Sequence, residues 1–175
     1  MTENTNAGQN LPHVDFAIGD SIAVGLNGAI GNHLVVNSTT AELGGLVIAK
    51  QGIGPTNVFT NIEALKSNLP NALNGKTIAL SGGVSNNIAA IDKVKAQIGL
   101  LTQAGARVAL VGVCTTFNVG GATGFQLNKT LSNIAATESV FFTGGFVGGP
   151  DHVHPANYSS VLHQVLVALQ GQLSA

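Results

Sequence analysis

The chain of 175 residues is long enough for one domain with a core of its own and gives no reason to look for two. Apolar residues make up 45% and charged residues 9%, with a formal net charge of -1. The seven Lys and Arg are scattered and form no basic stripe to neutralise phosphates, so a nucleic-acid partner is not expected.

The start, MTENTNAGQNLPH, is polar where a signal peptide would be basic and then apolar, so residues 1–12 read as a disordered polar leader and 13–175 as a single soluble domain. Five short apolar runs follow, VDFAIGD, LVIAKQG, TIALSGG, RVALVGVC and SVFFTGG, each ending in small or turn-forming residues. Runs this short and apolar throughout suit strands buried on both faces. Between them, NVFTNIEALKSNL puts Val58, Ile62, Leu65 and Leu69 on one helical stripe. NIAAIDKVKAQIGLLTQAG does the same for Ile91, Val94, Ile98 and Leu101, with Gly105 as the stop. In PANYSSVLHQVLVALQGQL, Pro155 is expected at the first position of a closing helix. No apolar stretch approaches the roughly 18 to 20 residues that span a bilayer. The single cysteine, Cys114, rules out an intrachain disulfide; it ends an apolar run and reads as a core thiol. His13, His33 and His163 read as surface or packing residues.

Strand alternating with helix implies right-handed crossovers and an α/β fold, a three-layer α/β/α sandwich around a central five-stranded parallel sheet of flavodoxin-like type. Ligands in such sheets sit beyond the carboxyl ends of the strands. GDS, QGIG, SGGVSNN and GGPDHVHP all converge on that edge.

A serine hydroxyl is a poor nucleophile unless a base takes its proton, a third group holds the base, and donors await the oxyanion. DHVHP offers Asp151 and His154, three apart on one short segment. A carboxylate at that spacing can accept from one ring nitrogen and leave the other to face a serine.

In that order, GDS with Ser21, QGIGPT, SGGVSNN and DHVHP resemble the four blocks of the SGNH, or GDSL-type, hydrolases, and HPANYSSVL resembles that family's closing helix. The resemblance runs from residue 19 to 155. It implies Ser21 as nucleophile and backbone oxyanion donor, Asn86 as side-chain oxyanion donor, His154 as general base and acid, and Asp151 as the group orienting it. The family's third block reads Gly, any residue, Asn, Asp; here two residues separate Gly83 from Asn86, and Asn87 replaces the acid. Order in the motif favours Asn86 over Asn87. The second block is compressed, leaving Gly54 or Gly52 as the oxyanion glycine. Gly54 is preferred because GPT stands where the family often has Gly, a polar residue and Thr.

Each signal alone has a plainer reading: Asp20 or Ser21 as a helix N-cap, SNN as another, Gly52 and Gly54 as a tight turn, Asp151 as a cap on the last helix. His152 and His154 lack further ligands at regular spacing, so no metal is expected, and the chemistry needs no cofactor. Four signals in order, each at a predicted strand end, favour a serine esterase working through an acyl-enzyme.

No long insertion is present to form a lid, so the site should be shallow and open, suited to small acyl groups on a large polymer. The expectation is an O-acetyl esterase acting on a polysaccharide or glycoconjugate. The alternatives are a small lipolytic esterase or thioesterase, with Phe117, Phe125, Phe141, Phe142 and Phe146 lining an acyl pocket, and a non-catalytic SGNH-like binding module. A flavodoxin-like anion binder at the helix opened by GDSIAVG is a further reading. Richness in Gly, Ala, Asn and Thr resembles secreted or virion surface proteins.

Overall fold

The structure, a computed structural model, describes residues 12–32 and 34–174; most of the leader and His33 lie outside them. In chain order the elements begin with β1 (Phe16–Gly19), α1 (Ser21–Ile30), β2 (Val35–Val36), β3 (Thr40–Leu43), β4 (Leu46–Lys50), α2 (Pro55–Asn68) and β5 (Thr77–Ser81). After two short 3-10 turns come α3 (Lys93–Gln103), β6 (Arg107–Leu110), β7 (Asn118–Val119), β8 (Ala122–Thr123), α4 (Gly124–Thr137), β9 (Phe141–Phe142) and α5 (Tyr158–Ser174).

The five expected strands are β4, β1, β5, β6 and β9, side by side in that order and all parallel. The chain steps one way from β1 to β4 and the other way ever after. With right-handed crossovers, that reversal sends α1 to one face and α2, α3 and α4 to the other. The packing agrees: α1 lies against α5, α2 against α3, and α3 against α4. The result is the expected three-layer sandwich.

Four strands were not expected: β7 and β8 pair antiparallel with each other apart from the main sheet, and β2 and β3 extend it. β2 and β3 join antiparallel beyond β4 and enlarge the sheet to seven. Their origin is local: Gly44 and Gly45, both at positive φ, close a two-residue hairpin between β3 and β4. α4 was also unassigned, although Thr123 and Gln126 cap it reciprocally, side chain to backbone in both directions. The closing helix starts three residues later than Pro155. Pro155 is buried in a bridge to Gly148, and Asn157 takes the capping role, its Oδ1 accepting from Ser160 N.

The central strands are buried along their whole length. β1 touches β4 in register only at Gly19, so its Ala17 backbone would lack a partner on that side. Buried Asn27 of α1 takes the place of a neighbouring strand: its Oδ1 accepts from Ala17 N and its Nδ2 donates to Ala17 O.

Candidate active site

Ser21 sits where β1 turns into α1, at the point where the strand order reverses. The turn is dictated by its neighbours. A Cβ on Gly19 would lie 1.7 Å from Ser81 O, and the residue has φ +142, so only glycine fits. Asp20, buried, caps α1 through Oδ1, which accepts from Ile22 N and from the Ser81 hydroxyl. Burial pushes the Asp20 carboxyl up to about 6, although the bonds from Ser81 and the backbone oppose the shift. Ser21 is thereby the first residue of a capped helix, with its N–H among those that no helical carbonyl accepts.

The second member comes from the loop after β9. His154 Nε2 lies 2.8 Å from Ser21 Oγ, and His154 Nδ1 lies 2.6 Å from Asp151 Oδ2. The other Asp151 oxygen accepts from the N–H groups of Val153 and His154, both at 3.0 Å, so Asp151 caps a turn of its own loop and not the last helix. The His154 ring first, then these backbone donors, hold the Asp151 carboxyl well below the usual carboxylate range. It is therefore ionised at neutral pH. His154 donates through Nδ1 in the arrangement this charge favours, leaving Nε2 to accept from the serine.

The remaining two blocks meet each other. Gly83, at φ +84, packs so closely on the second block that a Cβ would lie 2.7 Å from Gly54 C and 2.9 Å from Ile53 O. Asn86 Nδ2 donates to Ile53 O at 2.9 Å, which leaves the second proton of that amide for another acceptor. Gly54 is the N-cap of α2, with Pro55 next, and its N–H has no acceptor among the described residues. Gly52 instead lies exposed at φ +81 with open space around it, and Asn87 contributes its Cβ to the packing on Gly54.

Three further residues support the site and were not singled out in the sequence. Gln97, fully buried in α3, donates through Nε2 to both Pro55 O and Gly82 O, clamping the second block to the third. Its signal was a polar residue on the apolar stripe of Val94, Ile98 and Leu101. Thr116 Oγ1 lies 2.8 Å from His152 Nδ1 and 3.2 Å from Cys114 Sγ, tying the histidine loop to the chain after β6. Tyr158 lies over Gly25, where a Cβ would meet its ring, and its hydroxyl reaches toward Ser21 O. Burial, with the charges of Asp20 and Asp151, pushes this phenol up to about 12. No local pattern marks Thr116 or Tyr158, because their partners are distant in sequence.

The other candidates are accounted for individually. His152 serves the tether to Thr116, and among the described residues no three His, Cys, Asp or Glu side chains gather as a metal site. Cys114 is a buried free thiol. His13 is exposed with Nε2 3.5 Å from Asp15, and His163 is exposed. The phenylalanines do not line the space beside Ser21. Phe117 and Phe146 are in the core, Phe141 and Phe142 are half-buried in β9, and Phe125, 77% exposed, borders a separate depression with Thr115 and Asn128.

One solved structure shares this architecture. It is a candidate acylhydrolase from Bacteroides fragilis, matched over 99% of this chain and 96% of the other, with a TM-score of 0.55 and 14% identity. The likeness is one of fold. No family model matches the chain, and no curated protein is significantly similar to it. No helix among the described residues is long and apolar enough to cross a membrane.

Proposed function

We propose that the protein is a serine esterase of the SGNH type that removes small acyl groups, acetyl above all, from a polysaccharide or glycoconjugate. The observation that carries the reading is the hydrogen-bonded series Asp151, His154, Ser21, with separations of 2.6 and 2.8 Å between side chains drawn from opposite ends of the domain. Conjunctions of a carboxylate, an imidazole and a hydroxyl at these distances activate a nucleophile on many unrelated folds. The likeness in fold to a candidate acylhydrolase is consistent with it.

In this reading, His154 takes the Ser21 proton as Oγ attacks the ester carbonyl, and Asp151 stabilises the imidazolium. The tetrahedral oxyanion is met by the N–H groups of Ser21 and Gly54 and by the free proton of Asn86 Nδ2. His154 then passes its proton to the leaving alcohol, giving an acyl-enzyme that water, activated by the same imidazole, hydrolyses.

Hydrolysis of p-nitrophenyl acetate by the wild type and by Ser21→Ala, with fluorophosphonate labelling of both, tests the reading. Expected is turnover and labelling of the wild type only. Equal inertness and no label on Ser21 would leave a binding module in its place.

A further inference from the structure

Beside Ser21 lies an open cleft of about 370 Å³, and its walls are not those of the oxyanion site. Ser21 and His154 stand at one end, while Gly54 and Asn86 do not border it. Val36, Asn37, Ser38 and Gln51 form another part of its wall, and Tyr158 borders it too. The face of α1 carrying Val24, Gly25 and Gly28 also borders it; Tyr158 fills the space over Gly25, and the missing side chain of Gly28 leaves open room.

This wall is built in advance of any ligand. Asn37 Oδ1 accepts three bonds, from Thr39 N, Thr39 Oγ1 and Thr40 N, so the side chain is fixed with its amide protons left over. Gln51 N donates to Thr39 O at 2.8 Å, which locks the segment after β4 to the β2–β3 turn. Fixed donors lose little freedom when a ligand arrives.

We infer that this cleft, given the esterase reading above on which the inference rests, receives the alcohol half of the ester, and that the alcohol is a sugar unit recognised by Asn37, Ser38 and Gln51. The direction follows from proton transfer. His154 Nε2 must reach the leaving oxygen, so the alcohol extends from the His154 side of Ser21, where the cleft opens, and the acyl carbonyl oxygen faces Gly54 and Asn86. The class follows from chemistry. Two amides and a hydroxyl beside the apolar Val24 and Val36 match the hydroxyls and the apolar edge of a sugar ring, whereas a plain alkyl alcohol would engage the valines alone. β2 and β3, the strands added to the parallel sheet, are on this account the recognition element.

The test compares kcat/KM on two acetyl esters, p-nitrophenyl acetate and a monoacetylated methyl xyloside, for the wild type, Gln51→Ala and Gly28→Leu. Gln51→Ala removes a side chain and keeps the backbone bond to Thr39. A Cβ at Gly28 meets nothing within 4 Å, and leucine favours a helix over glycine, so Gly28→Leu fills the cleft in a chain that still folds. Expected is a fall of about tenfold on the xyloside for Gln51→Ala, the equivalent of one hydrogen bond, and a larger fall for Gly28→Leu. On p-nitrophenyl acetate, whose nitrophenol is also an alcohol half but carries no ring hydroxyls, Gln51→Ala should lose much less than on the xyloside, whereas Gly28→Leu should lose activity on both, with melting temperatures unchanged or raised. Equal losses on both esters for Gln51→Ala, or no loss on the xyloside for either variant, would overturn the inference while leaving the esterase intact. So would a wild type that cleaves only the aryl ester. A wild type inert on both, or turnover that survives Ser21→Ala, would instead remove the esterase reading and this inference with it.

Discussion

Ser21 and His154 face each other across 2.8 Å but are held by opposite kinds of structure. Ser21 belongs to a strand-to-helix junction whose neighbours, Gly19 and Asp20, are buried and locked against Ser81. His154 rides on a loop whose side chains are 39% (His154) and 52% (Asp151) exposed, and which is held by its own turn, the Gly148–Pro155 bridge and the tether from Thr116. The junction is therefore fixed by packing and the loop by a few hydrogen bonds. Substitutions in the first should be felt as stability, and those in the second as activity.

The largest expected effect breaks the relay without touching either support. His154→Ala should lower kcat on p-nitrophenyl acetate on the order of 10,000-fold or more and leave the melting temperature within about 2 °C, measured side by side with the wild type. A large fall in melting temperature would show that the loop is structural after all. Gly19→Ala should do the reverse. Its Cβ meets the Ser81 carbonyl, so the chain should lose more than about 10 °C in melting temperature or fail to fold.

Asn86→Ala and Asn87→Ala sharpen the comparison at a third place. Loss of one oxyanion donor lowers turnover by about 100- to 1000-fold, and only Asn86→Ala should show it. Thr116→Val then tests the tether alone. Losing one hydrogen bond of about 1 kcal/mol should lower kcat severalfold, with KM and stability unchanged and with rescue by Thr116→Ser.

A further effect concerns pH. The folded Asp20 carboxyl, raised from 3.8 to about 6, binds its proton more tightly than in the unfolded chain. Its contribution to stability is therefore complete below about pH 4 and fades as pH rises through about 6, by roughly 3 kcal/mol. Denaturant unfolding at pH 4 and pH 7 should show that decline in the wild type relative to Asp20→Asn. Parallel pH profiles would assign it to another group.

How much of this could be read in the sequence followed the range of the interactions. The five parallel strands were legible because burial on both faces leaves a short, wholly apolar run, and Ser21, Asp151 and His154 because their residue types sit beside turn-forming glycines at strand ends. The β2–β3 pair escaped notice because β2 has two residues and β3 four, too few for an alternation to stand out, although Gly44-Gly45 marked the turn joining β3 to β4. Pro155 was misplaced because proline suits a helix start and a buried bridge equally well in a sequence, and the bridge to Gly148 is tertiary. Thr116 and Tyr158 act on residues far along the chain, where no spacing rule reaches, while Gln97 left only the sign of a polar residue on an apolar helix stripe.

The pairing of Ser21 with His154 joins residues 133 positions apart, and Tyr158 seats on Gly25 beside it. Contacts of such separation form late, since the intervening chain must first surrender its freedom. On the esterase reading, catalytic competence would thus report completed folding. A refolding chain that had regained its helices and inner strands would still be expected to be inert, and to gain turnover only when α5 docks on α1.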